Sequence, residues 1–135
     1  VKLRQFCEGQ DLLRLAYVDD EGYPRVVPLY FIRMGDHFII STWAHSAKWR
    51  FIQQRSKVGW VIDAGTYATN YRGVTFWGVL EKVTDQRVYR RAFLAFAMKY
   101  FGSTEHPTFL RLFASPGCIF LKLKPERFYS WDNAS

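Results

Sequence analysis

A small, mainly β fold, an antiparallel barrel with a few peripheral helices, is what this sequence predicts, and three observations lead there. Short β-branched and aromatic runs follow one another directly, glycine-bearing turns separate several of them, and only two or three segments carry helical periodicity. Strands that follow strands favour an antiparallel sheet over a parallel α/β one, and closing that sheet into a barrel removes its exposed edges. The 135 residues are the size of one domain, read as spanning 1–135. A domain of this length buries roughly two-thirds of its unfolded surface, enough for a core without disulfide staples.

Leu12 to Val18 is an apolar run ending in Asp19-Asp20-Glu21-Gly22, with glycine where a positive φ is wanted, and Arg25 to Ile32 resumes as strand. This predicts a first hairpin. Gly35-Asp36 makes a second turn into His37–Thr42, so the opening third reads as a meander. Pro28 lacks an N–H and therefore marks an edge, a bulge or a barrel corner. Ser46 is the N-cap of a helix running to Arg55, with Trp49, Phe51 and Ile52 on its apolar side.

Lys57–Asp63 reads as a buried strand with Asp63 as its terminal turn residue. Arg72 to Val83 reads as a long strand in which Gly73 and Gly78 mark bends or the close approach of another backbone. Asp85 opens the clearest helix. Its Val88, Tyr89, Ala92, Phe93, Phe96, Ala97 and Tyr100 form one core-facing stripe, and Gly102 stands where a C-cap belongs. Glu105 to Phe113 is a shorter helical pattern, and two closing strands, Cys118–Leu123 and Arg127–Trp131, flank Lys124-Pro125-Glu126.

The formal charge of +7 favours anionic partners. Residues 1–60 carry nine Lys/Arg against six acids and residues 61–135 ten against six, so no basic arm for nucleic acid stands out. Cys7 and Cys118 form no CxxC pair, and His37, His45 and His106 are scattered singly, so no metal site is expected. There is no apolar run of about 18 residues and no signal-peptide core, which predicts a cytoplasmic protein without membrane attachment.

The chemistry concentrates between Thr42 and Arg50. A helix N-terminus with unpaired N–H groups, the hydroxyls of Thr42 and Ser46 and the cations Lys48 and Arg50 are what a phosphate group requires, and Arg25 lies on a strand that can run beside the same turn. Trp43, Tyr71, Trp77 and Trp131 offer flat surfaces for a ring or for packing, and Gly73 and Gly78 flank Trp77. No nucleophile elbow, HExxH or P-loop pattern is present, and catalytic side chains are not assigned.

Four segments taken in order, Gly22-Tyr-Pro-Arg-Val-Val-Pro28, Ile40-Ser-Thr42, Ser46-x-Lys48 and Pro125-Glu-Arg-Phe-Tyr-Ser-Trp-Asp132, resemble the pyridoxamine 5'-phosphate oxidase-like, flavin-binding split-barrel family. The resemblance implies a six-stranded antiparallel Greek-key barrel and a homodimer holding FMN at its interface. By position it implies phosphate contacts from Ser46 and Lys48, with Arg50 as a further cation. Ser41 and Thr42 would line the ribityl chain and Arg25 and Val27 would lie along it; apart from the resemblance, Trp77 between its flanking glycines is the ring offered as a cofactor contact. Relatives using the deazaflavin coenzyme F-420 resemble the chain equally well.

The oxidase itself would carry an arginine where Ala47 stands and an extended tail after Trp131, so vitamin-forming oxidation is not the expected reaction. The expectation is an oxidoreductase acting on a small organic substrate, with a non-catalytic flavin or haem carrier on the same fold as the alternative. A flavin performs its own redox chemistry, so no acid–base pair is demanded of the sequence.

Overall fold

The computed structural model describes residues 2–66 and 70–133. Its elements are α1 (Lys2–Glu8), β1 (Leu13–Val18), β2 (Pro24–Leu29), β3 (Phe31–Met34), β4 (His37–Trp43), α2 (Ala47–Gln54), β5 (Lys57–Ala64), β6 (Arg72–Lys82), α3 (Gln86–Tyr100), α4 (Pro107–Phe113) and β7 (Cys118–Asp132). The strands form one seven-stranded sheet in the order β2-β1-β5-β6-β7-β4-β3, antiparallel throughout.

The two edges of that sheet, β2 and β3, are joined by Tyr30 alone. Two Cα steps reach only about 7 Å, so the sheet must curl until its edges adjoin. The expected split barrel is therefore present, but with seven strands in place of six, because the segment on either side of Tyr30 is divided into β2 and β3, which pair on opposite sides. Side chains of α3 secure this seam. The Phe31 N–H donates to the Tyr100 hydroxyl at 3.0 Å, and the Phe31 carbonyl accepts from that hydroxyl at 2.7 Å and from Lys99 Nζ at 3.0 Å. Pro28 sits on edge strand β2, two residues before the break, where its missing N–H interrupts no central ladder.

Gly22 and Gly35, at φ 87° and 64°, turn the β1–β2 and β3–β4 hairpins as expected, but β2 and β3 do not pair and no continuous meander forms. A second correction concerns the C-terminus. The two expected closing strands are one, β7, which passes through Pro125 with a bulge. Gly78 pairs with Pro125 and Trp77 with Arg127, leaving Glu126 as the extra residue. A Cβ on Gly78 would stand 2.0 Å from the Lys124 carbonyl oxygen, which is why glycine is needed there. Asp63 also differs from its turn assignment: it lies within β5, accepting from Arg14 at 2.9 Å and from the Tyr71 hydroxyl at 3.1 Å. Helix α1 has no counterpart among the sequence expectations.

Side-chain alternation builds two cores. Leu13, Leu15, Val58, Trp60, Ile62, Val74 and Phe76 point into the barrel with Phe38 and Ile40. On the outer side of β3, β4 and β7, Ile32, Ile39 and Phe120 pack under Ala92, Phe96, Phe109 and Phe113 of α3 and α4. The segments Phe31–Ile32, Phe38–Ile40 and Cys118–Leu121 are thus buried on both faces, which explains their unbroken apolar runs. Asp85 caps α3 by accepting from Arg87 and Val88 N–H, and Gly102, at φ 68°, follows its end.

Candidate flavin-phosphate groove

Strand β4 delivers Ser41 and Thr42 to the mouth of the barrel, and a three-residue turn then starts α2. Ser46 adopts an extended φ of −71° and ψ of 147°, and its Oγ accepts the Trp49 N–H at 3.1 Å, as an N-cap should. The same Oγ lies 3.1 Å from Thr42 Oγ1, and Thr42 is itself buried. The strand end and helix start are thereby fixed to one another. Ala47 and Lys48, the first two helical residues, have N–H groups with no partner inside the helix, at the positive end of its dipole.

Ser41, Thr42 and Lys48 share a groove of about 200 Å³, walled by Tyr30, Trp43 and Phe113. Lys48 is half-buried, and burial lowers its amine from the ordinary lysine value. Among the described residues no carboxylate pairs with it. A desolvated cation sharing a groove with hydroxyls beside a helix start is a donor set that could hold a phosphate monoester: the amine would supply charge, and the helix N–H groups and hydroxyls would supply donors.

The other expected contacts lie elsewhere in the chain. Arg25 is four residues before Leu29, which lines the groove, and so about 13 Å back along β2. There it pairs with Asp19 at 3.5 Å. Val27 packs against the barrel core. Arg50 is exposed and stands 5.0 Å over the Phe51 ring. Trp77 is on the outer face of the sheet, in the cross-strand row Val26–Ala16–Gly59–Trp77–Arg127. Of the expected set, the structure joins Ser41, Thr42, Ser46 and Lys48 in a single chain.

Tyr30, Phe113 and Cys118 were not anticipated at this site. Pro28 hinted at the corner that presents Tyr30. The α4 wall arises from a contact between segments some seventy residues apart, which no local pattern announces. Among the described residues there is no metal-binding cluster, and no helix is long and apolar enough to cross a membrane.

No curated protein matches the sequence at a significant level. Solved structures do match it in fold. A conserved hypothetical protein of Mycobacterium tuberculosis superposes with a TM-score of 0.87 at 21% identity, over 98% of this chain and 83% of that one. The heme storage protein HutZ of Vibrio cholerae gives 0.76 at 15% identity, over 95% and 91%. An FAD-binding protein of Mycobacterium smegmatis gives 0.71 at 13% identity, over 97% and 94%. The family model described as pyridoxamine 5'-phosphate oxidase matches residues 2–132. Sheet order, curled barrel and whole-length match agree, and the chain belongs to the pyridoxamine 5'-phosphate oxidase family.

Proposed function

We propose that this protein is a flavin-dependent oxidoreductase that binds FMN, or alternatively the deazaflavin coenzyme F-420, and acts on a small organic substrate. The observation that carries this reading is Lys48: a half-buried cation with no carboxylate partner among the described residues, sharing a groove with Ser41 and Thr42 beside a helix N-terminus. When bound, the flavin ring supplies hydride or electron transfer. The chain's own residues do the rest. Lys48 neutralises phosphate charge, Ser46 and the first N–H groups of α2 orient it, and Ser41 and Thr42 hold hydroxyls next to it. Tyr30, Trp43 and Phe113 exclude water from the groove, which strengthens each of these contacts.

Arg50 and Trp77 would join the site from a second copy, whereas Arg25 and Val27, on the opposite face of β2 from Val26, would stay with their own barrel. The outer sheet face exposes Val26, Trp77 and Tyr129, at 65%, 43% and 64%. The small residues Ala16 and Gly59 beside Trp77 leave that face flat. Pairing two such faces would give a homodimer with a groove at its seam. Sedimentation would report a species of twice the chain mass. Purified protein would show a bound-flavin absorbance spectrum, or quench added deazaflavin fluorescence, and would be reduced at steady state by a reduced nicotinamide or deazaflavin donor. A protein that stays colourless and monomeric with both cofactors contradicts the reading.

A non-catalytic carrier of flavin or haem on the same fold is the second reading, supported by the fold likeness to a heme storage protein. Its signature is a Soret band, or a bound flavin that no donor reduces.

A further inference from the structure

A cavity lies at the other end of β4 from Lys48. It has a volume of about 420 Å³, within the range of small-molecule sites, and Phe38, Phe76 and Phe128 form its wall. Phe38 precedes Thr42 by four residues, so the cavity and the phosphate groove are about 13 Å apart along the strand, and they share no lining residue. The three rings are tilted, with Phe76 centred 5.0 Å from Phe38 and 6.1 Å from Phe128, and present both faces and edges to the space. Its charges balance. Arg33 is paired with Glu8 and Arg4 with Asp36. An apolar aromatic wall with a balanced rim selects a neutral, flat aromatic molecule rather than an anion.

Helix α1 closes this cavity through Leu3 and Cys7. Its hold is slight: Phe6 and Cys7 are its buried residues, and Leu3 also borders a second cavity of about 270 Å³ on the other side. Voids on both flanks deprive the helix of packing contacts. The two ion pairs that tie it to the β3–β4 hairpin, Arg4–Asp36 and Glu8–Arg33, are partly exposed and therefore screened by salt.

We propose that the space beneath α1 is a binding site for a neutral aromatic small molecule, distinct from the phosphate groove, and that α1 is its hinged lid. Cys7, on the lid and 1% exposed, reports lid opening, while Cys118, on β7 and lining the phosphate groove, serves as the control. The test is alkylation of the full chain with each cysteine followed separately by peptide mass spectrometry, using 2-naphthol as the probe. The probe should slow Cys7 alkylation several-fold and leave Cys118 unchanged, and Phe128→Ala, at a 58% exposed position, should abolish that protection. Asp36→Asn, or high salt, should speed Cys7 alkylation by about two- to five-fold, the equilibrium factor for one exposed ion pair.

The site is refuted if 2-naphthol leaves the Cys7 rate unaltered or protects Phe128→Ala equally. The lid is refuted if Asp36→Asn and salt leave Cys7 unchanged, or if both cysteines accelerate together, which is global unfolding. FMN in place of the probe should slow Cys118 and not Cys7, so the flavin reading and this one fail separately.

Discussion

The hydroxyls of Thr42 and Ser46 lie 3.1 Å apart, and Ser46 uses the same oxygen to cap α2. One atom thus serves fold and site together. With the Trp49 N–H occupying one acceptor position and Thr42 the neighbouring space, Ser46 has little freedom to rotate, so the phosphate end of the groove is set before any ligand arrives.

Ser46→Ala should therefore lower stability by about 0.5–2 kcal/mol through the lost cap, and weaken flavin binding as well. Urea denaturation and fluorescence titration check the two effects separately. Ser46→Thr should restore most of the stability, since threonine caps nearly as well.

Lys48→Met should do the reverse. Removing a desolvated amine that has no carboxylate partner should leave stability equal or higher, while flavin affinity falls about 10- to 100-fold for the loss of one charge-assisted contact of about 1.5–3 kcal/mol. Unchanged affinity in this variant would remove Lys48 from the phosphate site.

Lys99 gives a pH signature. Burial lowers its amine from 10.5 to about 8, against the opposing pull of Asp11 and Glu8, while its Nζ donates to the Phe31 carbonyl and stands 3.8 Å over the Phe31 ring. Between pH 8 and 10.5 the unfolded chain binds more protons at this residue than the folded one, so its contribution to stability rises with pH. The stability of wild type relative to Lys99→Met should accordingly increase across that window. Subtracting the variant also cancels the opposite trend from Cys118, whose thiol burial raises to about 11. Urea midpoints at a series of pH values supply the measurement.

Gly78→Ala should cost about 1–3 kcal/mol, since the new methyl would meet backbone atoms of Lys124 and Glu126 at 2.0 and 3.0 Å, neither of which belongs to a flexible side chain. Gly22→Ala would instead meet nothing within 4 Å, and only its positive φ of 87° would oppose it. Thermal melts of the two variants separate crowding from backbone strain.

Local chemistry made most of the elements legible in the sequence. Asp85 and Ser46 announced their helices because a cap is a short-range hydrogen bond, Gly22 and Gly35 marked turns that need a positive φ, and Gly78 marked a place where a side chain is excluded. The division at Tyr30 was not legible, because what holds it is a hydroxyl sixty-nine residues away, on Tyr100. Lys124-Pro125-Glu126 read as a turn because proline usually ends strands, yet a bulge opposite Gly78 accommodates it. Helix α1 escaped notice because only two adjacent residues, Phe6 and Cys7, mark its buried side, whereas the equally short α4 carries Pro107 at its start and Phe109 and Phe113 one turn apart. Within the site, the Thr42–Ser46–Lys48 cluster is contiguous in sequence and could be read, whereas the Tyr30 and Phe113 walls depend on the closed barrel.

Strand β7 lies between β6 and β4, and without it the ladder falls into two pieces, β2-β1-β5-β6 and β4-β3, linked only by covalent chain. The last-made strand is thus the keystone. A nascent chain can lay α3 and α4 over the outer face of β4 but must leave one ladder edge of β4 and one of β6 unpaired until residues 118–132 are made. Truncation near the C-terminus should consequently yield insoluble aggregates rather than a smaller soluble barrel.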